Sequence, residues 1–231
     1  MVLRVALGRA LKLGKVHRNV ATLIDPPAKA RREVQPMAAA EARAFLESVH
    51  GDRLEVLYRL AMATGMRQGE LLALRWQDVD LDRGWLEVRH TLVRGTRQLA
   101  PPKTEHARRR IALDEGTLAM LRAHRIAQAS IRVPEHDRDF VFATRDGQPL
   151  HARNVLHAYH EALERAGLPR RSFHQLRHGY ATLLLGSGEE LANISKVLGH
   201  STIATTVDFY GHLTPGVSRL AADKMGKILS G

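Results

Sequence analysis

The stretch SFHQLRHGYATLLL (172–185) places His174 and Arg177 three residues apart. On a helix that spacing projects both side chains from neighbouring positions of one face. A guanidinium fork beside an imidazole suits a phosphate: two charge-assisted contacts plus a group that can give or take a proton. The same pair serves equally well on a solvated helix edge. His174 and His178 stand at i, i+4, the spacing of a metal-binding pair, but no carboxylate follows at a ligand spacing. No metal is therefore expected at this pair. In ATGMRQGELLALRW (63–76), Arg67 follows Gly65 at the start of a helical pattern and Glu70 lies one turn on. A helix N-terminus with an arginine is an anion site; an ordinary surface Arg–Glu pair has the same spacing. In PPKTEHARRRIAL (101–113), Lys103 follows two prolines in a hairpin-like segment. A lysine at a hairpin tip can reach a groove or a leaving oxygen, or it can simply block edge pairing. VLGHSTIATTVDFYGHL (197–213) holds His200 and Tyr210. A tyrosine there can fill the core, its hydroxyl needing one partner.

These residues must be positioned by the elements around them. Leu191, Ile194, Val197 and Leu198 form a helical stripe, so Gly199 reads as the residue that ends the helix at positive φ. His200 then sits on the turn before a Ser201/Thr202 cap, and a short helix over 202–208 leads to Tyr210. Leu176, Tyr180, Leu183 and Leu184 give the helix over 174–186 a core-facing side. Leu57, Leu60 and Ala61, then Leu71 and Leu74, mark helices in the segment from Met37. Between about 79 and 113, β-branched and alternating segments separated by turn residues predict two or three strands. Helices follow over about 115–130, 152–166 and 190–198, with FVFA (140–143) extended and DGQP a turn. A last helix from about 215 carries Val217, Leu220, Ala221, Met225 and Ile228 at helical spacing. Helices, then a small antiparallel sheet, then helices, is a predominantly α-helical α+β order rather than βαβ alternation. At the front, 2–16 forms a helix broken near Gly14. The segment 25–36, with Pro26, Pro27, Pro36, Lys29, Arg31 and Arg32, reads as a basic linker.

The bulk numbers constrain the partner. The chain has 231 residues, net charge +11 and a pI near 10.6, which point to a polyanion. Residues 1–36 carry eight Lys/Arg against two Asp/Glu, and 94–110 carry six against one. Such clustering fits a phosphate-tracking surface. There is no cysteine, which excludes disulfides and cysteine-based zinc sites. No apolar run is long enough to span a membrane, and the first residues are too interrupted by Arg4, Arg9, Lys12 and Lys15 to be a signal peptide.

Taken in order, Arg67, Lys103, His174-x-x-Arg177, His200 and Tyr210 resemble the tyrosine recombinases, the phage integrases. TGMRQGELLALRWQDVDL resembles the family's first box, PPKTEHARRRIAL its lysine hairpin, FHQLRHGYAT its His-x-x-Arg box and LGHSTIATTVDFYGHL its final box. The resemblance covers about 37–231. It departs at Ala107, where the family often has serine, and in QPMAAAEARAF before the first helix. It implies a helical catalytic domain over 37–231 with a small antiparallel three-stranded sheet. Residues 1–36 resemble the last helix of a core-binding domain plus linker, so the chain looks like the catalytic half of a longer protein or the product of a shortened gene.

The resemblance implies cleavage of double-stranded DNA at attachment-type sites. Tyr210 attacks a phosphodiester, leaving a 3′-phosphotyrosyl bond, without metal or nucleotide. Arg67 and Arg177 hold the nonbridging oxygens, His200 bonds the same phosphate, and Lys103 protonates the leaving 5′ oxygen. His174 accepts the tyrosine proton or orients the phosphate, and Glu70 orients Arg67 or Lys103. Tyr210 is expected on a polar segment from which it reaches an outside substrate. Arg108, Arg109, Arg110, Arg170 and Arg171 are expected on DNA. A protein free as a monomer, assembling as a homo-tetramer on DNA at synapsis, in a bacterial cytoplasm and on the nucleoid, is the implied setting. The final helix is expected to pack on a neighbouring protomer. A type IB topoisomerase and a non-catalytic DNA-binding remnant are the alternatives.

Overall fold

The computed structural model describes residues 2–25, 36–102, 107–131, 140–211 and 225. The chain divides into two compact units, Met1–Val34 and Gln35–Gly231.

In the first unit, helix α1 (Val2–Lys12) stops before Gly14, whose φ is +67°. Asn19 closes the unit. Its amide Nδ2 donates to the Arg4 carbonyl at 2.9 Å, while its Oδ1 accepts from Ala21 N at 3.2 Å. Arg4 in turn donates to the carbonyls of Ala21, Thr22 and Ile24.

The second unit begins with α2 (Ala39–Ser48), where the Glu41 carboxylate accepts from the free N–H of Ala38 at 2.8 Å. Helices α3 (Glu55–Thr64) and α4 (Gln68–Leu72) follow. Five short strands then run from β1 (Val79–Asp80) through β2 (Trp85–Val88), β3 (Thr91–Leu92) and β4 (Leu99–Ala100) to β5 (Arg109–Ala112). The chain continues through α5 (Glu115–Ile131), α6 (Ala152–Arg165), α7 (His174–Gly186), α8 (Leu191–Leu198) and α9 (Ile203–Tyr210). The expected predominantly helical α+β class holds, and the ends of α5 to α9 fall within a residue or two of those read from the periodicity, whereas α1 stops at Lys12, four residues short of the expected 16. The sheet is β1-β2-β5, antiparallel, with Val79 opposite Leu86 and Leu86 opposite Ile111. A separate ribbon pairs β3 with β4, Thr91 facing Ala100. That ribbon was not foreseen, because two-residue strands carry no alternation to read. The FVFA segment makes single bridges only, at Phe140 to Arg75 and Ala143 to Pro149. The helix expected from about 215 lies, except for Met225, outside the described residues.

The main core is built on an aromatic cluster from four elements. Phe45, Tyr58, Tyr159 and Phe173 meet edge-on or tilted, with centroids 5.3–5.5 Å apart for the three close pairs. A second, small core gathers Ala181, Ile194, Leu198 and Tyr210, with Tyr180, Leu184, Leu185 and Leu191 around it. This second cluster joins α8 to α7, which carries His174, Arg177 and His178, and to α9, which carries Tyr210.

Two backbone positions fix how the first box meets these helices. Gly65 ends α3 at φ +61°, and a Cβ there would lie 2.6 Å from Tyr180 Cδ1 and 2.9 Å from Leu198 Cδ2. Both the positive φ and the contact require glycine. Gly65→Ala is expected to lower stability by about 1–3 kcal/mol through strain and overpacking. A shift of the urea midpoint with an unchanged m-value would show it; a neutral result would mean that α7 and α8 yield freely. Gly199 ends α8 at φ +65°, with Gly199 N bonded to the Lys196 carbonyl and His200 N to that of Ser195, as its position after the apolar stripe predicts.

Candidate active site

Arg67 is the N-cap of α4, and the chain turns into the helix there because Glu70, three residues on, takes its backbone N–H at 3.0 Å. The same carboxylate accepts from Arg67 Nη1 at 2.9 Å. It is 3% exposed and also accepts from Arg109 Nη2 at 2.9 Å. Burial pushes the Glu70 pKa up, but Arg109, the Arg67 backbone N–H and the Arg67 charge outweigh it, and the net shift is downward. Glu70 is therefore an ionised hub between two guanidiniums. Arg109 also donates to the carbonyls of Val197 and Ala107, so strand β5 and the end of α8 are tied to the start of α4.

Arg177 lies at the end of the first turn of α7 and is 2% exposed. Its Nη1 donates to the Gly65 carbonyl at 2.9 Å and its Nη2 to the Leu198 carbonyl at 2.6 Å. Both acceptors belong to helix C-terminal ends, where the partial charge is negative and a cation is favoured. Burial, then Arg67 and Arg109, push its pKa down to about 9, so it stays charged at neutral pH.

The histidines report the same positive locus. His174, on the open first turn of α7, has its pKa lowered to about 4 by desolvation, then by His178, Arg177 and Arg67. His200, half-buried on the turn after Gly199, is lowered to about 4 by desolvation, then by Arg177, Arg67 and Arg109. Its Nδ1 is paired with the hydroxyl of buried Thr206 at 2.7 Å. Both imidazoles are neutral at pH 7. Thr202 stands at the N-cap of α9 as expected, but its hydroxyl meets Thr205 at 3.3 Å rather than capping a backbone N–H.

Tyr210 differs most from expectation. Its side chain is 4% exposed, packed into the second core rather than presented on a polar segment. Helix α9 turns Thr206 and Tyr210 inward, one helical turn apart, and leaves Ile203, Val207 and Phe209 outside. The polar look of the stretch misleads because the inward face carries a threonine and a tyrosine. Burial pushes the phenol up to about 12, and the Arg177 charge pulls it down, so its oxygen lies at the same locus as the arginine. The hydroxyl is paired with His178 Nδ1 at 2.6 Å.

The structure thus brings Arg67, Glu70, His174, Arg177, His200 and Tyr210 together. Lys103 lies outside the described residues. Of the arginines expected on DNA, Arg108, Arg110 and Arg170 are exposed, with Arg110 stacked 4.3 Å over the Trp85 ring. Arg109 and Arg171 are corrections to the expected DNA-facing placement. Arg109 is buried in the Glu70 hub, and Arg171 is buried with its fork on Glu41, at 3.0 and 2.7 Å. Period-2 alternation along β5 could have shown this, since neighbours of an outward Arg108 and Arg110 must point inward. His178 was considered only as a metal ligand; no spacing rule reveals that it faces Tyr210.

The model of the phage integrase family matches residues 32–216. The chain belongs to the phage integrase family. It is 35% identical over 221 residues to a tyrosine recombinase XerC-like protein of Caldanaerobacter subterraneus subsp. tengcongensis, covering 88% of this chain and 56% of that one. It is 28% identical to the ICEBs1 integrase of Bacillus subtilis, covering 86% of this chain and 56% of that one. The chain thus spans about half the length of these curated relatives. Among solved structures, the Tn1549 transposon integrase in complex with transposon right end DNA superposes with a TM-score of 0.78 at 22% identity, over 96% of this chain and 76% of that one. A lambda integrase dimer bound to a COC′ core site superposes with a TM-score of 0.63 at 20% identity, over 90% of this chain and 69% of that one. Those likenesses establish the phage-integrase fold. No helix among the described residues is long and apolar enough to cross a membrane.

Proposed function

We propose that this phage-integrase chain is the catalytic part of a site-specific DNA recombinase of a mobile element, acting through a 3′-phosphotyrosyl intermediate. The observation that carries this reading is the shared electrostatic locus of Arg67, His174, Arg177, His200 and Tyr210, which has several cations and one buried carboxylate, Glu70. Beyond burial, Arg67 and Arg109 depress Arg177, and the arginines depress both histidines, so the single Glu70 carboxylate leaves an excess of positive charge that a phosphodiester would balance. Arg67, 41% exposed at its side chain, and Arg177, through the N–H groups not given to Gly65 and Leu198, hold the nonbridging oxygens. With Nδ1 taken by Thr206, His200 offers Nε2 to the same phosphate. Lys103 is assigned to protonate the leaving 5′ oxygen. One diester replaces another, so the exchange needs no nucleotide. The exposed Arg108, Arg110 and Arg170 are assigned to the DNA backbone, and assembly of four copies on paired sites is the working state. The Tn1549 and lambda structures contain DNA, and the relatives carry recombinase and integrase names, which favours this reading over a topoisomerase or a non-catalytic remnant.

The test is covalent capture. The chain is expressed in cells, lysed in denaturant, and the DNA attached to it is sequenced; a nicked duplex bearing the recovered site is then incubated with pure protein. Wild type is expected to form a denaturation-resistant adduct, and Tyr210→Phe to form none, since the reacting oxygen is gone. Equal absence of adduct from both would end the assignment.

A further inference from the structure

We propose that His178 is the proton acceptor of Tyr210. This rests on the recombinase reading and assigns a chemical role within that site. The geometry is direct: His178 Nδ1 lies 2.6 Å from Tyr210 Oη, and both side chains are buried. The imidazole is held in place from two sides. The His174 ring stands edge-on to it at 4.8 Å and Phe209 is tilted against it at 5.5 Å. Among the described residues, the titratable and charged groups facing it are His174 and Arg177 on its own helix and Tyr210 from α9.

No carboxylate is among them, and burial followed by the Arg177 charge keeps the imidazole below its ordinary pKa, hence neutral and able to accept a proton at pH 7. A phenol pushed up to about 12 does not ionise by itself at that pH. Full transfer to the imidazole before attack is uphill, so the proton moves as the bond to phosphorus forms and charge leaves the phenol oxygen. In cleavage, the Oη–H bond breaks, its proton goes to His178 Nδ1, the Oη–P bond forms and the P–O5′ bond breaks, the 5′ oxygen taking a proton from its own acid. In rejoining, the departing phenolate recovers the proton from the His178 imidazolium. This leaves His174, which has no hydrogen bond to the phenol, to the phosphate.

Single-turnover adduct formation on the nicked duplex, with DNA affinity and thermal melting measured in parallel, tests the assignment. Asn at 178 keeps an acceptor close to the position of Nδ1 but cannot take a proton; His178→Ala removes both. His178→Asn is expected to bind DNA within about threefold of wild type and to form adduct on the order of 10²–10⁴-fold more slowly. In His178→Ala, added imidazole is expected to restore part of the rate in proportion to its neutral form. His178→Asn cleaving within about threefold of wild type overturns the proposal while leaving the recombinase reading intact. So does a slow His178→Ala that imidazole does not recover. A wild type that forms no adduct removes the recombinase reading itself, and the proposal with it.

Discussion

Glu70→Ala is expected to destabilise the second unit by about 3–5 kcal/mol, the cost of leaving a buried charge without its partner. Glu70 is 3% exposed, and the Arg109 side chain opposite it is 6% exposed. Without the carboxylate, Arg109 keeps only the Val197 and Ala107 carbonyls, and Arg67 loses the group that fixes its fork and its backbone N–H. A fall in Tm on the order of 10 °C follows for a unit of this size. The pH dependence carries a sign. The folded pKa of Glu70 lies below its reference value of 4.5. Its ionised form therefore stabilises the fold fully above pH 4.5, and this contribution is lost as the pH falls through the folded pKa. The gap between wild type and Glu70→Gln should be widest at neutral pH and shrink below 4.5. A gap that stays constant down to pH 3 would mean that the carboxylate contributes shape rather than charge. Adduct formation should fall as well, because Arg67 is aimed by the same oxygens.

Arg177→Ala is expected to reduce adduct formation by on the order of 10³-fold or more. The side chain has two roles. In the proposed reaction it offers a cation to the phosphate, and in the fold it gives one N–H each to the Gly65 and Leu198 carbonyls, which joins the C-terminal ends of α3 and α8. Truncation leaves those two buried carbonyls without their donor, at about 1–3 kcal/mol each. Lysine separates the roles. Arg177→Lys keeps the charge but cannot span two carbonyls and a phosphate with a planar fork. It should recover part of the stability and little of the rate. If Arg177→Lys cleaves like wild type, point charge is sufficient and the fork geometry at this position is irrelevant to the chemistry. Circular dichroism melting beside single-turnover kinetics distinguishes the two losses.

The helices were legible because each buries a stripe that repeats with the helical period. Leu191, Ile194 and Leu198 identify α8, and Gly199 identifies its end, from local information alone. The order of the boxes likewise gave the family and nominated Arg67, His174, Arg177, His200 and Tyr210, since residue type and chain order survive without coordinates. The β-branched segments showed two or three strands, and the resemblance to the family implied a three-stranded sheet, whereas the β3–β4 ribbon was too short to show a pattern.

What the chain alone could not show is which cation faces inward and which group faces the phenol. Arg108, Arg109 and Arg110 are chemically one run in the sequence; the pleat of β5 sends the middle one to Glu70 and the outer two toward water. Arg170 and Arg171 part in the same way, Arg171 closing on Glu41, 130 residues away. Tyr210 meets His178 across 32 residues because α7, α8 and α9 share a small core, and the roll of α9 is set by packing rather than by its own sequence. Local spacing fixes periodicity, charge and residue type. Pairings between distant side chains follow from how helices and strands rotate to bury apolar surface, and that rotation exists only in the assembled tertiary structure.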